Sequence, residues 1–217
     1  MKLRRNFLLS LATAATALLL AACATSTPLP EPSPPQGAAL AIDVLVKPPM
    51  GIGHRDPVQV IFARVDGADG LMQQTIVRSN HVKGSRAYLL NARPGTYVAV
   101  ASMFVNPGMA SGTYTTYFPR DAVEQTRTTV REGEISFMGA YVLGTSVGLD
   151  GADEVQLHYK NVIAPGQGTG VLAMAFGGSI HYRGALLERR ADEQAGRAFF
   201  QRARDDLAGS GWVGLIR

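Results

Sequence analysis

Ser146 stands at the centre of Gly144-Thr145-Ser146-Val147-Gly148, the G-x-S-x-G spacing that holds a serine hydroxyl out on a sharp turn. Asp153 and His158 follow in the chain order of a hydrolase triad, so the chemistry on offer would be acyl transfer through an activated serine. That chemistry needs a strand, a tight turn and then a helix. Here residues 149–152 read as a loop and residues 155–162 alternate as a strand, so the segment is expected to be a glycine-rich hairpin. Gly166-Gln167-Gly168-Thr169-Gly170 invites a phosphate-loop reading, yet no Gly-Lys-Ser/Thr follows and a strand, not a helix, is expected after it. His54, His81, His158 and His181 lack the paired spacing of metal ligands, so neither a metal nor a cofactor is expected. Tyr114, Tyr117 and Phe118 fall with Arg120 in residues 112–120, expected as an exposed loop whose aromatics could stack on a sugar, peptide or partner.

The elements that must position these groups are read from short apolar alternations broken by turn residues. Residues 41–46 place Ile42, Val44 and Val46 on one face, and residues 58–65 alternate in the same way. Further strands are expected at 71–77, 87–90, 97–104, 135–143, 155–162 and 171–176. Between them lie Asp66-Gly67, Arg93-Pro94-Gly95, Asn106-Pro107-Gly108, Glu132-Gly133 and Pro165-Gly166, each supplying the fixed or positive φ of a turn. About eight closely spaced strands predict a mainly β fold, an antiparallel β-sandwich. One helix is expected at the end, over about 186–208. Leu187, Ala191, Ala195, Phe199, Ala203 and Leu207 recur there at four-residue steps, with Gly209 as a stop and Trp212, Leu215 and Ile216 packing after it.

Arg93-Pro94-Gly95-Thr96-Tyr97, running into Val98-Ala99-Val100-Ala101, resembles the prealbumin-like or carboxypeptidase-regulatory-like β-sandwich modules, in which a Pro-Gly turn and an aromatic introduce a central strand. Glu132-Gly133-Glu134-Ile135, leading into Phe137 and Tyr141, is similar to the next strand of uncharacterised bacterial lipoproteins built on such a sandwich. The resemblance spans about residues 38–143. It implies a fold and brings no catalytic residue with it.

The N-terminus carries an address. Lys2, Arg4 and Arg5 precede an apolar or small-residue run over 7–20, shorter than the roughly 20 residues a spanning helix needs. Leu20-Ala21-Ala22-Cys23 resembles a bacterial lipobox. The resemblance implies that a signal peptide, residues 1–22, is cut between Ala22 and Cys23, and that the Cys23 thiol carries diacylglycerol while its new amino group is acylated. Ala24, which is not aspartate, resembles the signal for onward transport to the outer membrane rather than retention at the inner one. Cys23 is the only cysteine, and an exported chain with a single unmodified thiol would carry a reactive liability. Residues 23–37, with five prolines from Pro28 to Pro35, read as a lipidated residue and a spacer with a reach of about 40 Å.

Removal of residues 1–22 takes three basic residues and no acid, leaving 18 basic against 17 acidic side chains in 195 residues. The near balance gives no support to nucleic-acid binding or to a polybasic membrane patch. Residues 38–217 are enough for one domain with its own core. The sequence therefore predicts a lipid-anchored envelope protein facing the periplasm, a structural or interaction module without catalysis whose partner is another envelope protein. Its alternative is a small-ligand or glycan binder using Tyr114, Tyr117, Phe118 and Arg120.

Overall fold

The computed structural model describes residues 28–33, 37–49, 53–66, 75–105, 113–166 and 179–216. Leu20, Ala21, Ala22 and Cys23, the first part of the expected 71–77 strand, the Asn106-Pro107-Gly108 turn, residues 167–170 and the expected 171–176 strand lie outside the described residues.

Among the described residues ten strands form one curled, mixed sheet, a half-barrel. In chain order they are β1 (Ala39–Lys47), β2 (Gln59–Arg64), β3 (Thr75–Arg78), β4 (His81–Lys83), β5 (Arg86–Leu90), β6 (Gly95–Val105), β7 (Thr113–Tyr117), β8 (Thr128–Val130), β9 (Ile135–Ser146) and β10 (Ile180–Arg190). The spatial order is β3-β2-β6-β7-β10-β9-β1-β5-β4, with β8 beside β6. The mainly β expectation holds. An antiparallel sandwich does not describe the pairing, because β1 runs parallel to β9 and β10 runs parallel to β7. Alternation reports which residues share a face but not which way a neighbouring strand runs.

The curl follows from a relation between the two sheet edges. Strands β3 and β4 sit at opposite ends of the order, yet only Ser79 and Asn80 separate them in the chain. Ser79 holds β2 through its amide on the Val60 carbonyl and through its hydroxyl, which accepts from Val60 N at 2.9 Å. Asn80 holds β5 with a matching pair, its side chain accepting from Leu90 N at 2.8 Å and donating to Leu90 O at 2.9 Å. Two adjacent residues thus tie the sheet's edges together at one corner.

Strand β1 is buried on both faces. Leu40, Ile42, Val44 and Val46 belong to the core inside the curl, together with Phe62, Tyr97, Tyr117 and Tyr141. Ala39 and Ala41 face a second core with Tyr88, Phe199, Ala203, Leu207 and Trp212. This explains why β1 is apolar at nearly every position rather than alternating.

Among the described residues three helices complete the fold: α1 (Arg120–Gln125), α2 (Glu154–Ile163) and α3 (Glu193–Asp206), with a 3-10 turn at Gly211–Leu215. The strand expected at 155–162 is helix α2. Asp153 caps it, accepting from Gln156 N at 2.8 Å while Gln156 returns a side-chain bond to the Asp153 amide, the reciprocal box that starts a helix. The expected 186–208 helix is shorter than its pattern. Residues 186–190 finish β10 against β9, with a bulge at Leu187, and α3 starts only after Asp192 accepts from Ala195 N. Gly139 makes that crossing possible, since it has φ 119° and a Cβ there would lie 3.1 Å from Ala191 Cβ and 3.2 Å from Arg190 O.

Candidate functional site

Three places bring polar groups and apolar surface together. The first is the seam where the proline-rich segment meets the C-terminus. Pro30 offers its carbonyl to Trp212 Nε1 at 2.5 Å, and the Glu31 carboxylate accepts from Gly211 N at 2.7 Å. Asn91 grips the same segment twice, donating to Glu31 O at 2.9 Å and accepting from Ser33 N at 2.8 Å. It does so from the left-handed region, with φ 58°, the only described non-glycine residue there. Leu29 packs on the second core, and Gly37 has no room for a side chain, as its Cβ would sit 2.7 Å from Pro32 Cβ and 3.0 Å from Trp212. The spacer expected at 23–37 is therefore bound to the domain over residues 28–33. Pro28, Leu29, His81, Ala208, Gly209 and Ser210 wall a cavity of about 380 Å³ beside it.

Behind this seam Asp206, at the end of α3, accepts from Arg86 Nε and, at 2.8 Å, from Nη2, two nitrogens on one guanidinium edge, and from the Tyr88 hydroxyl at 2.6 Å. Burial disfavours the Asp206 charge, but the hydrogen bonds from Arg86 and Tyr88 outweigh it and hold the carboxyl below its usual range. Burial and the Asp206 bond push the Tyr88 phenol up, and burial lowers His81, whose Nε2 has no hydrogen-bond partner among the described residues.

The second place is a groove of about 230 Å³ between α3 and the outer face of β1, β9 and β10. Its floor is apolar, from Leu45, Phe137, Val142, Ala195 and Ala198. Ion pairs stand on its lips: Arg202 with Asp43 at 3.1 Å and Arg190 with Glu188. The third is the open mouth of the curl, about 410 Å³, where Val77, Leu89, Ala92 and Tyr97 are joined by Arg64, Asn91 and Arg93. Its size falls in the range of small-molecule sites, whereas the groove is smaller.

The residues singled out from the sequence are placed differently. Tyr114, Tyr117 and Phe118 are not exposed loop aromatics but are fully buried, the first two on strand β7. Tyr114 stacks with Phe104 and Tyr182, and Tyr117 donates or accepts at 2.8 Å with His181 Nδ1. Both sheet faces are covered here, which is why a Thr- and Tyr-rich segment forms a strand and not a loop. Arg120 is exposed at the start of α1 and pairs with Glu154.

Ser146 ends β9 and α2 starts at Glu154, so the segment is a strand, turn and helix and not the expected hairpin. Even so, among the described residues no hydrogen bond joins Ser146 to His158. Asp153 is committed elsewhere, one oxygen to Gln156 N and the other to Arg120 N at 3.0 Å. His158 lies edge-on to Tyr159. Burial, with the Lys160 charge, lowers His181 to about 4, and among the described residues its Nε2 has no hydrogen-bond partner. Among the described residues no three His, Cys, Asp or Glu side chains come together as a metal site, and no helix is long and apolar enough to cross a membrane.

Sequence reasoning missed Asn91, Asp206 and the groove. Asn91 in Leu90-Asn91-Ala92 was a readable turn signal; the Asp206 and groove contacts join positions over 100 residues apart and left no local trace. No protein-family model, curated protein or solved structure matches the chain.

Proposed function

We propose that the chain is a lipid-anchored protein of the bacterial envelope, held on the outer membrane through Cys23 and facing the periplasm, where it acts as a non-catalytic interaction module. The observation that carries the interaction reading is the groove under α3. An apolar floor between two ion-paired lips has the layout of a protein interface, with a dehydrated centre and a charged rim. Its small volume suits an inserted side chain or extended segment of a partner protein better than a whole metabolite. The engagement of Asp153 as a helix cap supports a binding role over a hydrolytic one. The anchor itself is supported by the lipobox residues.

A photo-crosslinking residue at Arg190, in cells making the lipidated protein, tests the groove. A discrete adduct that disappears when Ala198→Arg fills the floor is the expected result, and an adduct indifferent to that change overturns it. Intact mass of the native chain beside Cys23→Ala tests the anchor, which fails if the two differ only by the substitution.

The mouth of the curl favours a second reading, a small-ligand or glycan binder. Tyr97 with Arg64 and Arg93 supplies an aromatic wall and two cations, in place of the buried Tyr114, Tyr117 and Phe118. Sugar- or anion-induced thermal stabilisation that Arg93→Glu abolishes would select this reading over the first.

A further inference from the structure

We infer that the seam end of the domain rests against the polar surface of the bilayer that holds its own anchor, with the α3 C-terminus and the 3-10 turn facing the headgroups. The inference rests on the lipidation of Cys23. Its structural basis is independent of that reading: the arm is bound to the domain from Pro28 onward, by Trp212 on Pro30, Gly211 on Glu31 and Asn91 on Glu31 and Ser33.

Chain length turns that docking into an orientation. Five residue steps separate Cys23 from Pro28, and a fully extended chain covers at most about 3.6 Å per step, so the Pro28 Cα lies within about 18 Å of the Cys23 Cα, whose side chain bears the lipid. A free spacer running to Gly37 would allow more than twice that distance and any orientation. The docked one permits neither. The groups that share a cavity with Pro28 suit close approach to headgroups: Ala208 and Gly209 are exposed and small, and Glu31, the carboxylate among them, is engaged by Gly211 N. The opposite end is fixed by β1 and β9, which run parallel away from the seam. Ala39 pairs with Ile135 near it and Lys47 with Gly144 far from it, about 26 Å along the strands at 3.3 Å per step. Val147, exposed just beyond Ser146, marks that distal end.

The partner is thus a lipid surface, and its hold is a matter of effective concentration. A short tether keeps the seam at the membrane without intrinsic affinity for lipid, so the domain without its acyl chains stays off vesicles.

The test uses the full lipidated protein in vesicles of phosphatidylethanolamine and phosphatidylglycerol containing a headgroup-labelled acceptor lipid. With Cys23 acylated, Ala208→Cys and Val147→Cys each give one free thiol for a donor dye. Energy transfer several-fold stronger from position 208 than from 147 is the expected result. Asn91→Gly combined with Glu31→Ala and Trp212→Phe removes every side-chain hydrogen bond named above on the arm while keeping positive φ available at 91, and should make the two positions nearly equal. Equal transfer from both positions in the otherwise native protein, with the lipid mass present, overturns the inference and leaves the anchor standing. Absence of the lipid mass overturns the anchor and the orientation together.

Discussion

Trp212 and Pro30, 182 positions apart in the chain, are joined by a hydrogen bond from the indole Nε1 to the proline carbonyl at 2.5 Å. The ring is fully buried and closes the second core beneath Ala39, Tyr88 and Leu207, so one side chain both fills that core and holds the arm. Trp212→Phe keeps most of the apolar contact and removes the donor. It should cost about 1–2 kcal/mol in denaturant unfolding, the size of one lost bond with an orphaned carbonyl, while Trp212→Ala should cost about 3–5 kcal/mol. Equal losses for the two variants would mean that the bond contributes everything and the packing nothing.

The Asp206 cluster predicts an acid limb. Its carboxyl is held below the usual range in the folded state by Arg86 and Tyr88, against the opposing effect of burial. A group with a depressed folded pKa contributes stability that is complete above its unfolded value, about 3.9, and is lost as the pH falls through the folded one. Stability should therefore drop below about pH 4, and Asp206→Asn should flatten that limb. At neutral pH the same variant leaves Arg86 nearly buried without its counter-charge and should lose about 3 kcal/mol. Urea midpoints from pH 2.5 to pH 7, about the range over which carboxylates titrate, distinguish these effects.

His181 acts in a different window. Burial first, then the Lys160 charge, lowers it to about 4, whereas the unfolded chain titrates near 6.5. Between those values the unfolded state binds the proton and the folded state does not, so stability rises with pH across the window. The full effect is about 3 kcal/mol at 1.36 kcal/mol per pKa unit. His181→Gln retains an acceptor for the Tyr117 hydroxyl and should remove the slope between pH 4 and 6.5, leaving the limb below pH 4 to Asp206. A slope that survives the substitution would assign it to His81, which burial also lowers.

What was legible in the sequence was local. The alternations around Ile42, Phe62, Val98 and Ile135 fall on β1, β2, β6 and β9, and the four-step row Phe199, Ala203, Leu207 is the buried face of the last helix. Of two local misreadings, the first had a local remedy and the second did not. Val155, Leu157 and Tyr159 alternate like a strand, but Asp153 and Gln156 already carried the capping box that makes them a helix. Leu187 and Ala191 continue the helical row, yet β9 captures residues up to Arg190 as sheet, an override by tertiary pairing. The parallel pairings, the Ser79–Asn80 corner and the docked arm had no local signal, because each joins distant segments. Prolines in the arm advertise extended backbone whether it is free or bound.

Gly184 gives the sharpest steric test of the mixed sheet. It lies on β10 where that strand runs parallel to β7, and a Cβ there would stand 2.0 Å from the Tyr117 carbonyl oxygen, a backbone atom that no rotamer change can move aside. Gln156 on α2 donates to the Gly184 carbonyl at 3.0 Å and to that same Tyr117 carbonyl at 3.4 Å, and so holds the two backbones together at this point. Gly184→Ala should therefore destabilise by about 3 kcal/mol or more, well beyond the propensity gain of alanine over glycine in a strand. Gly196→Ala is the matched control, in α3 with nothing near its would-be Cβ, and should stabilise by up to about 1 kcal/mol. Thermal unfolding of the two single variants beside the parent reads both signs at once, and a silent Gly184→Ala would show that β7 and β10 are not paired in this register.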